Sequence, residues 1–177
     1  MIEDAKKAFY NGQSPAPAFF YCSRNTAEPA RSNPDAIVAS IARQLSSLQP
    51  GYPLLPPTVA EYKKREMEGF ASGSLGIDES CALIIQLSER YPMTTIVIDA
   101  LDECDPGRRK TLLKTLESIL QGSSGLVKIF VSSREDQDSR LQSCPNLELS
   151  SSKNKDDINL FVRKKTEILV LDGELLR

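Results

Sequence analysis

The sequence predicts an α/β protein built on a parallel sheet, and two observations carry that expectation. Short apolar runs of strand length alternate with longer stretches of helical periodicity along the chain. Two of the runs, Ile96-Val97-Ile98 and Lys128-Ile129-Phe130-Val131, lack the apolar–polar alternation of a half-solvated strand. Such runs belong to a sheet covered on both faces, which is the habit of parallel sheets.

The elements follow in order. Residues 1–11 read as a helix stopped at Asn11-Gly12. After the turn at 14–17, residues 18–23 (AFFYCS) form an aromatic run of strand length. Asn33-Pro34 supplies an N-cap and a first-turn proline. Ile37, Ile41, Leu45 and Leu48 then recur at helical spacing, predicting an amphipathic helix over 34–48. Residues 50–57 (PGYPLLPP) break it, and 58–69 read as a largely solvated helix. A small-residue loop precedes a helix whose face is marked by Ile77, Cys81, Ile84 and Ile85 and which ends near Tyr91-Pro92. A strand over 94–99 follows, then a helix from Pro106 to about Leu120, stopped by Gly122. Strands are expected at 126–133 (LVKIFVSS) and 146–150 (NLELS). A last helix starts near Lys155, with Ile158, Phe161, Val162, Ile168 and Leu169 on one side.

Composition narrows the function classes. With 177 residues, 26% of them charged, the chain is long enough for one domain with a real core. Its 22 basic and 24 acidic residues leave a formal charge of −2, no footprint for nucleic acid or an anionic membrane. The absence of histidine removes imidazole metal sites, His-based triads and near-neutral switching. Cys22, Cys81, Cys104 and Cys144 lie too far apart in sequence for a zinc knuckle or a redox pair and read as small apolar groups. The N-terminus lacks the apolar stretch of a signal peptide and no run approaches a membrane span, so a soluble, cytoplasmic protein is expected.

The chemistry concentrates at residues 95–105, TIVIDALDECD. An apolar strand enters four acids, Asp99, Asp102, Glu103 and Asp105, at the end of a strand where ligands of α/β sheets bind. Crowded carboxylates repel, and a divalent cation would relieve them; Mg²⁺ suits one or two carboxylates plus substrate phosphates. A calcium loop does not fit, because Leu101 and Cys104 stand where a side-chain oxygen and a glycine are required. Blander roles stand beside this one: Asp105 before Pro106 suits a helix N-cap, and Glu103 suits a solvated loop charge.

Residues 94–105 (TTIVIDALDECD) resemble the Walker B strand of the NACHT group of signal-transduction NTPases, and residues 127–136 (VKIFVSSRED) resemble that group's sensor-1 strand. FFYCSRN and the helix NPDAIVASIARQL resemble its second strand and following helix. The likeness covers about residues 2–167 and is greatest to fungal NACHT modules and to the nephrocystin-like N-terminal domain. It implies a three-layer P-loop NTPase-like sheet, with residues 1–170 a partial NACHT domain and 171–177 a tail. It also implies roles: Asp99 would hold Mg²⁺, Asp102 or Glu103 would orient the attacking water, and Arg134 would read the terminal phosphate of ATP or GTP. An Arg134 paired with Glu135 or Asp136 at a strand end is the plainer alternative.

One part of that machinery is absent from the sequence. The phosphate loop requires GxxxxGK[ST], and none of the 9 glycines precedes a lysine. The resemblance therefore implies a module lacking the loop and the first, central strand. Residues 126–133 would then show an open edge fit for self-association or protein partners. Hydrolysis by this chain alone is not expected. The competing expectations are a non-catalytic interaction fragment and a Mg²⁺-dependent phosphotransfer or nuclease domain without a phosphate loop.

Overall fold

Three strands form one parallel sheet in the computed structural model, which describes residues 17–48, 51–69, 73–134, 139–148 and 155–171. β1 (Ala18–Tyr21), β2 (Met93–Asp99) and β3 (Leu126–Val131) lie side by side in that order. Ala18 registers with Ile96, and Ile96 with Ile129; Phe20 registers with Ile98, and Ile98 with Val131. The expected parallel α/β architecture is therefore present. The chain divides into two compact units, Met1–Asp136 and Gln137–Arg177.

Among its described residues the first unit holds the sheet and four α-helices, α1 (Pro34–Leu45), α2 (Pro56–Met67), α3 (Ile77–Ser88) and α4 (Arg109–Gly122). α1 begins where the sequence predicts, with the Asn33 side chain accepting from the Asp35 amide at 3.0 Å and Pro34 in the first turn. It ends at Leu45, short of the expected Leu48, and the Tyr91 hydroxyl lies 2.7 Å from the carbonyl of Leu45. α2 starts two residues earlier than expected, because Pro56-Pro57 serve as its first turn. α3 buries Ser80, Leu83, Ile84 and Leu87, leaving Ile77, Cys81 and Ile85 half-buried. Ile84 of the expected face is fully buried, but Leu83 and Leu87 complete the buried side in place of Ile77, Cys81 and Ile85.

α4 departs further. Asp105 does not cap it: the Asp105 carboxylate accepts from the Gly107 amide at 2.9 Å, closing a turn, and the helix starts at Arg109. At its other end a Cβ on Gly122 would sit 2.8 Å from Cδ1 of Ile85, so glycine there permits the close approach of α3.

α1, α3 and α4 pack against one another, α1 also meets β1, and α4 meets β3, so the three make one layer on the sheet. Ile37, Ile41, Ile84, Leu87, Ile96, Ile98, Leu112 and Ile119 are fully buried in this core. Each such side chain contributes about 1.5–3 kcal/mol. The opposite face of the sheet is wetter at its margins: Tyr21, Leu126 and Phe130 are exposed, although Val97 between them is buried. β3 alternates exposed and half-buried residues, so the two-sided burial expected of it is not observed.

The two edges differ. The Gln44 side chain accepts from the Phe19 amide at 3.0 Å and donates to the Phe19 carbonyl at 2.8 Å, occupying the outer edge of β1 as a strand would. β3 is the other edge strand among the described residues. The Ser132 amide donates to the Ile98 carbonyl, so parallel alternation aims the backbone groups of Val127, Ile129 and Val131 away from β2.

The second unit contains α5 (Ser139–Gln142), not foreseen, and α6 (Lys155–Leu171), as expected. Ile158, Phe161, Val162 and Ile168 of α6 are exposed. Residues 146–148 are irregular rather than a strand, while 149–150 and the predicted helix at 1–11 lie outside the described residues. Among the described residues no helix is long and apolar enough to cross a membrane.

Candidate functional site

The site grows from the end of β2. Asp99 closes that strand, and its Oδ1 accepts from the Ala100 amide at 3.1 Å and from the Ser132 hydroxyl. Ser132 follows β3 directly, and its hydroxyl oxygen also accepts from the Ala100 amide at 3.0 Å. The Leu101 amide donates to the Ser132 carbonyl at 2.8 Å. The loops after the two strands are thus laced together at one residue.

Ala100 has φ 55° and ψ 52°, the left-handed conformation. A residue with a Cβ held there costs about 1–2 kcal/mol. The turn drives Leu101 into the core, fully buried, and starts a short 3₁₀ turn over Leu101–Glu103. Asp102 and Glu103 are thereby carried to the rim, half-buried.

Each acid finds its own donor. Asp102 Oδ1 accepts from the Arg134 amide at 3.1 Å, and Oδ2 lies 3.6 Å from Arg134 Nε. Glu103 accepts from the Arg24 amide at 3.2 Å. The carbonyl of Asp102 accepts from the Arg24 guanidinium and, at 2.8 Å, from Arg109. Three arginines therefore surround the acidic loop, and its repulsion is relieved by hydrogen bonds to separate groups. Among the described residues no three carboxylates or thiols converge on a point that could hold a metal ion.

The surroundings on the β1 side are dry. Cys22 and Cys104 are buried, and the Cys22 amide donates to the Asp99 carbonyl at 2.9 Å. Burial pushes the Cys22 thiol up to about 12, assisted by the neighbouring Cys104 thiol as it ionises in alkali and by the charge of Asp99. Burial raises Cys104 as well. Both remain protonated thiols at neutral pH.

Asp102 and Arg134 are brought together, Asp99 is tied to the same loop through Ser132, and Glu103 accepts from Arg24. Glu135 and Asp136, the alternative partners of Arg134, lie outside the described residues. Ser132, Arg24 and Arg109 escaped the sequence reading. For Ser132 a signal existed, a hydroxyl ending the strand next to the one that ends in Asp99. Arg24 and Arg109 gave none.

The first unit is an open parallel α/β domain whose polar loops gather at the carboxyl ends of adjacent strands, the place where such folds bind ligands. The chain belongs to the nephrocystin 3 N-terminal family, whose defining pattern matches residues 1–134 of the 177. The matched span reaches from β1 through Arg134 and includes every candidate site residue. Comparison with curated proteins returned no match, and neither did comparison with solved structures.

Proposed function

We propose that this chain carries part of a NACHT-type nucleotide-binding signalling module, contributing the metal, water and sensor side of a site for Mg·ATP or Mg·GTP. What supports the reading is the junction of the loops after β2 and β3: Asp99 held by Ser132, and Asp102 held by Arg134. Phosphoryl transfer asks for charge neutralisation and positioning more than covalent chemistry. A resident ion caged by protein carboxylates does not fit the described residues. An ion that arrives with a triphosphate does fit, since it needs only one or two carboxylates beside phosphate and water. Asp99 would hold it, and the bound ion would offset phosphate charge. Asp102, with Glu103 the second candidate, would orient the attacking water, and Arg134 would read the terminal phosphate.

The 177 residues contain no GK[ST] phosphate loop, so they are not expected to hydrolyse nucleotide unaided. Calorimetry tests both parts of the reading. Alone, the chain should bind Mg·ATP and Mg·GTP more weakly than low micromolar, a standard free energy of roughly −8 kcal/mol. Fused to a phosphate-loop segment it should bind them, with Asp99→Asn weakening the Mg²⁺ dependence and Arg134→Ala blunting preference for triphosphate over diphosphate. Equal loss of both nucleotides in the Arg134 variant would remove the sensor role.

The open edge of β3 favours a second reading, an assembly fragment that takes a strand from a protein partner or a second copy. The two readings are compatible.

A further inference from the structure

We propose that the cavity among α1, α2 and α3 binds a small monocarboxylate with an apolar tail. The cavity measures about 300 Å³ and lies on the helical layer, apart from the acidic loop. Its walls come from Ala39, Leu54, Leu75 and Leu83, so its body is apolar. Three polar residues join this lining: the Ser46 hydroxyl donates to the Ala42 carbonyl at 2.8 Å, and the side chains of the other two lack a partner among the described residues. The Thr58 hydroxyl oxygen is buried and makes no hydrogen bond. Arg43 is exposed at the cavity, and its guanidinium forms no ion pair or hydrogen bond among the described residues.

These features select one ligand chemistry. The pocket is open to solvent at exposed Leu54 and Arg43, and an apolar tail laid against its leucines would displace water from apolar surface. The hydroxyls of Thr58, Ser80 and Thr94 are buried without a partner, and of these only Thr58 lines the pocket, where a ligand oxygen would satisfy it. The unpaired guanidinium at the same cavity adds a demand for negative charge, met best by a planar carboxylate. Amines are repelled by Arg43, alcohols leave its charge unanswered, and sugar phosphates would bury polar atoms against leucine. At about 30 Å³ for each water-sized group the volume holds about ten heavy atoms, the size of octanoate.

The test titrates octanoate, 1-octanol and butyrate into the ¹⁵N-labelled full chain and follows amide shifts and the melting temperature. Octanoate should bind saturably, shift amides near Arg43 and Thr58, and raise the melting temperature by linkage. Butyrate should bind far more weakly. Arg43→Gln should weaken octanoate about tenfold and leave 1-octanol unchanged, as expected for loss of one charge-assisted hydrogen bond. Ala39→Phe, which fills the cavity, should abolish binding of both. Thr58→Val keeps the shape without the hydroxyl, and should cost octanoate a few-fold even if Ala39→Phe does not fold. Octanoate shifts that do not saturate, that scatter over the surface, or that are the same in Arg43→Gln would overturn the proposal.

Discussion

The two edges of the sheet are treated in opposite ways. At β1, one glutamine from α1 engages both backbone groups of Phe19, so the edge is finished by the chain's own side chain. At β3, the outward-facing groups of Val127, Ile129 and Val131 find no strand among the described residues, and Leu126 and Phe130 are exposed beside them. Edges are usually blunted by charge, proline, a bulge or a cover. β3 has only Lys128 to serve that purpose. The lesson is where the chemistry sits: Ser132 and Arg134 continue from the unfinished edge, while the finished edge leads to buried Cys22.

Proline separates the two directions of the β3 backbone and gives the largest expected effect. Phe130→Pro removes an amide aimed at β2 and should cost about 3 kcal/mol or more, whereas Ile129→Pro removes an outward amide and should leave the fold largely intact. Urea denaturation with sedimentation velocity reads both, and Ile129→Pro should also lower self-association. Equal destabilisation by the two prolines would mean that the outer edge is occupied.

Alkali probes the closed side. The folded-state value of the Cys22 thiol lies near 12, above its ordinary 9.0, so the folded state keeps a proton that the unfolded chain releases. The stability this represents is whole below pH 9 and falls as pH rises toward 12, by about 1.4 kcal/mol for each pH unit. Cys22→Ala should flatten that limb in urea melts between pH 8 and 11. An unchanged slope would show that the side is wet.

The smallest effect is Gln44→Ala, which should cost about 1–2 kcal/mol and give β1 the same tendency to associate as β3. A variant that is weaker but strictly monomeric would break the link between the glutamine and edge protection.

The sequence made β2 and the end of β1 legible because their signals are local: an apolar run closed by one acid, an aromatic run closed by Cys22-Ser23. Boundaries set by competing caps were harder. Asp105-Pro106 looked like a helix start, yet the carboxylate serves Gly107 and the helix waits until Arg109. The stripe of α3 was ambiguous because Leu83 and Leu87 compete with Ile77 and Ile85. Of the site, Asp99 could be found from its place in the run. Its partner Ser132 lies 33 residues away, Glu103 and Arg24 are 79 apart, and Gln44 and Phe19 are 25 apart. No periodicity encodes such contacts.

Ala100 constrains how this loop can drift over evolution. A glycine there would relieve the left-handed conformation, by about 1–2 kcal/mol, and enlarge the unfolded ensemble, by about 0.4–1 kcal/mol. Glycine is therefore tolerated at this position and is the better fit to its backbone. Valine, isoleucine and threonine are shut out, since branching at Cβ makes the same dihedral far costlier. A branched residue at position 100 would instead re-aim Asp102 and Leu101 together.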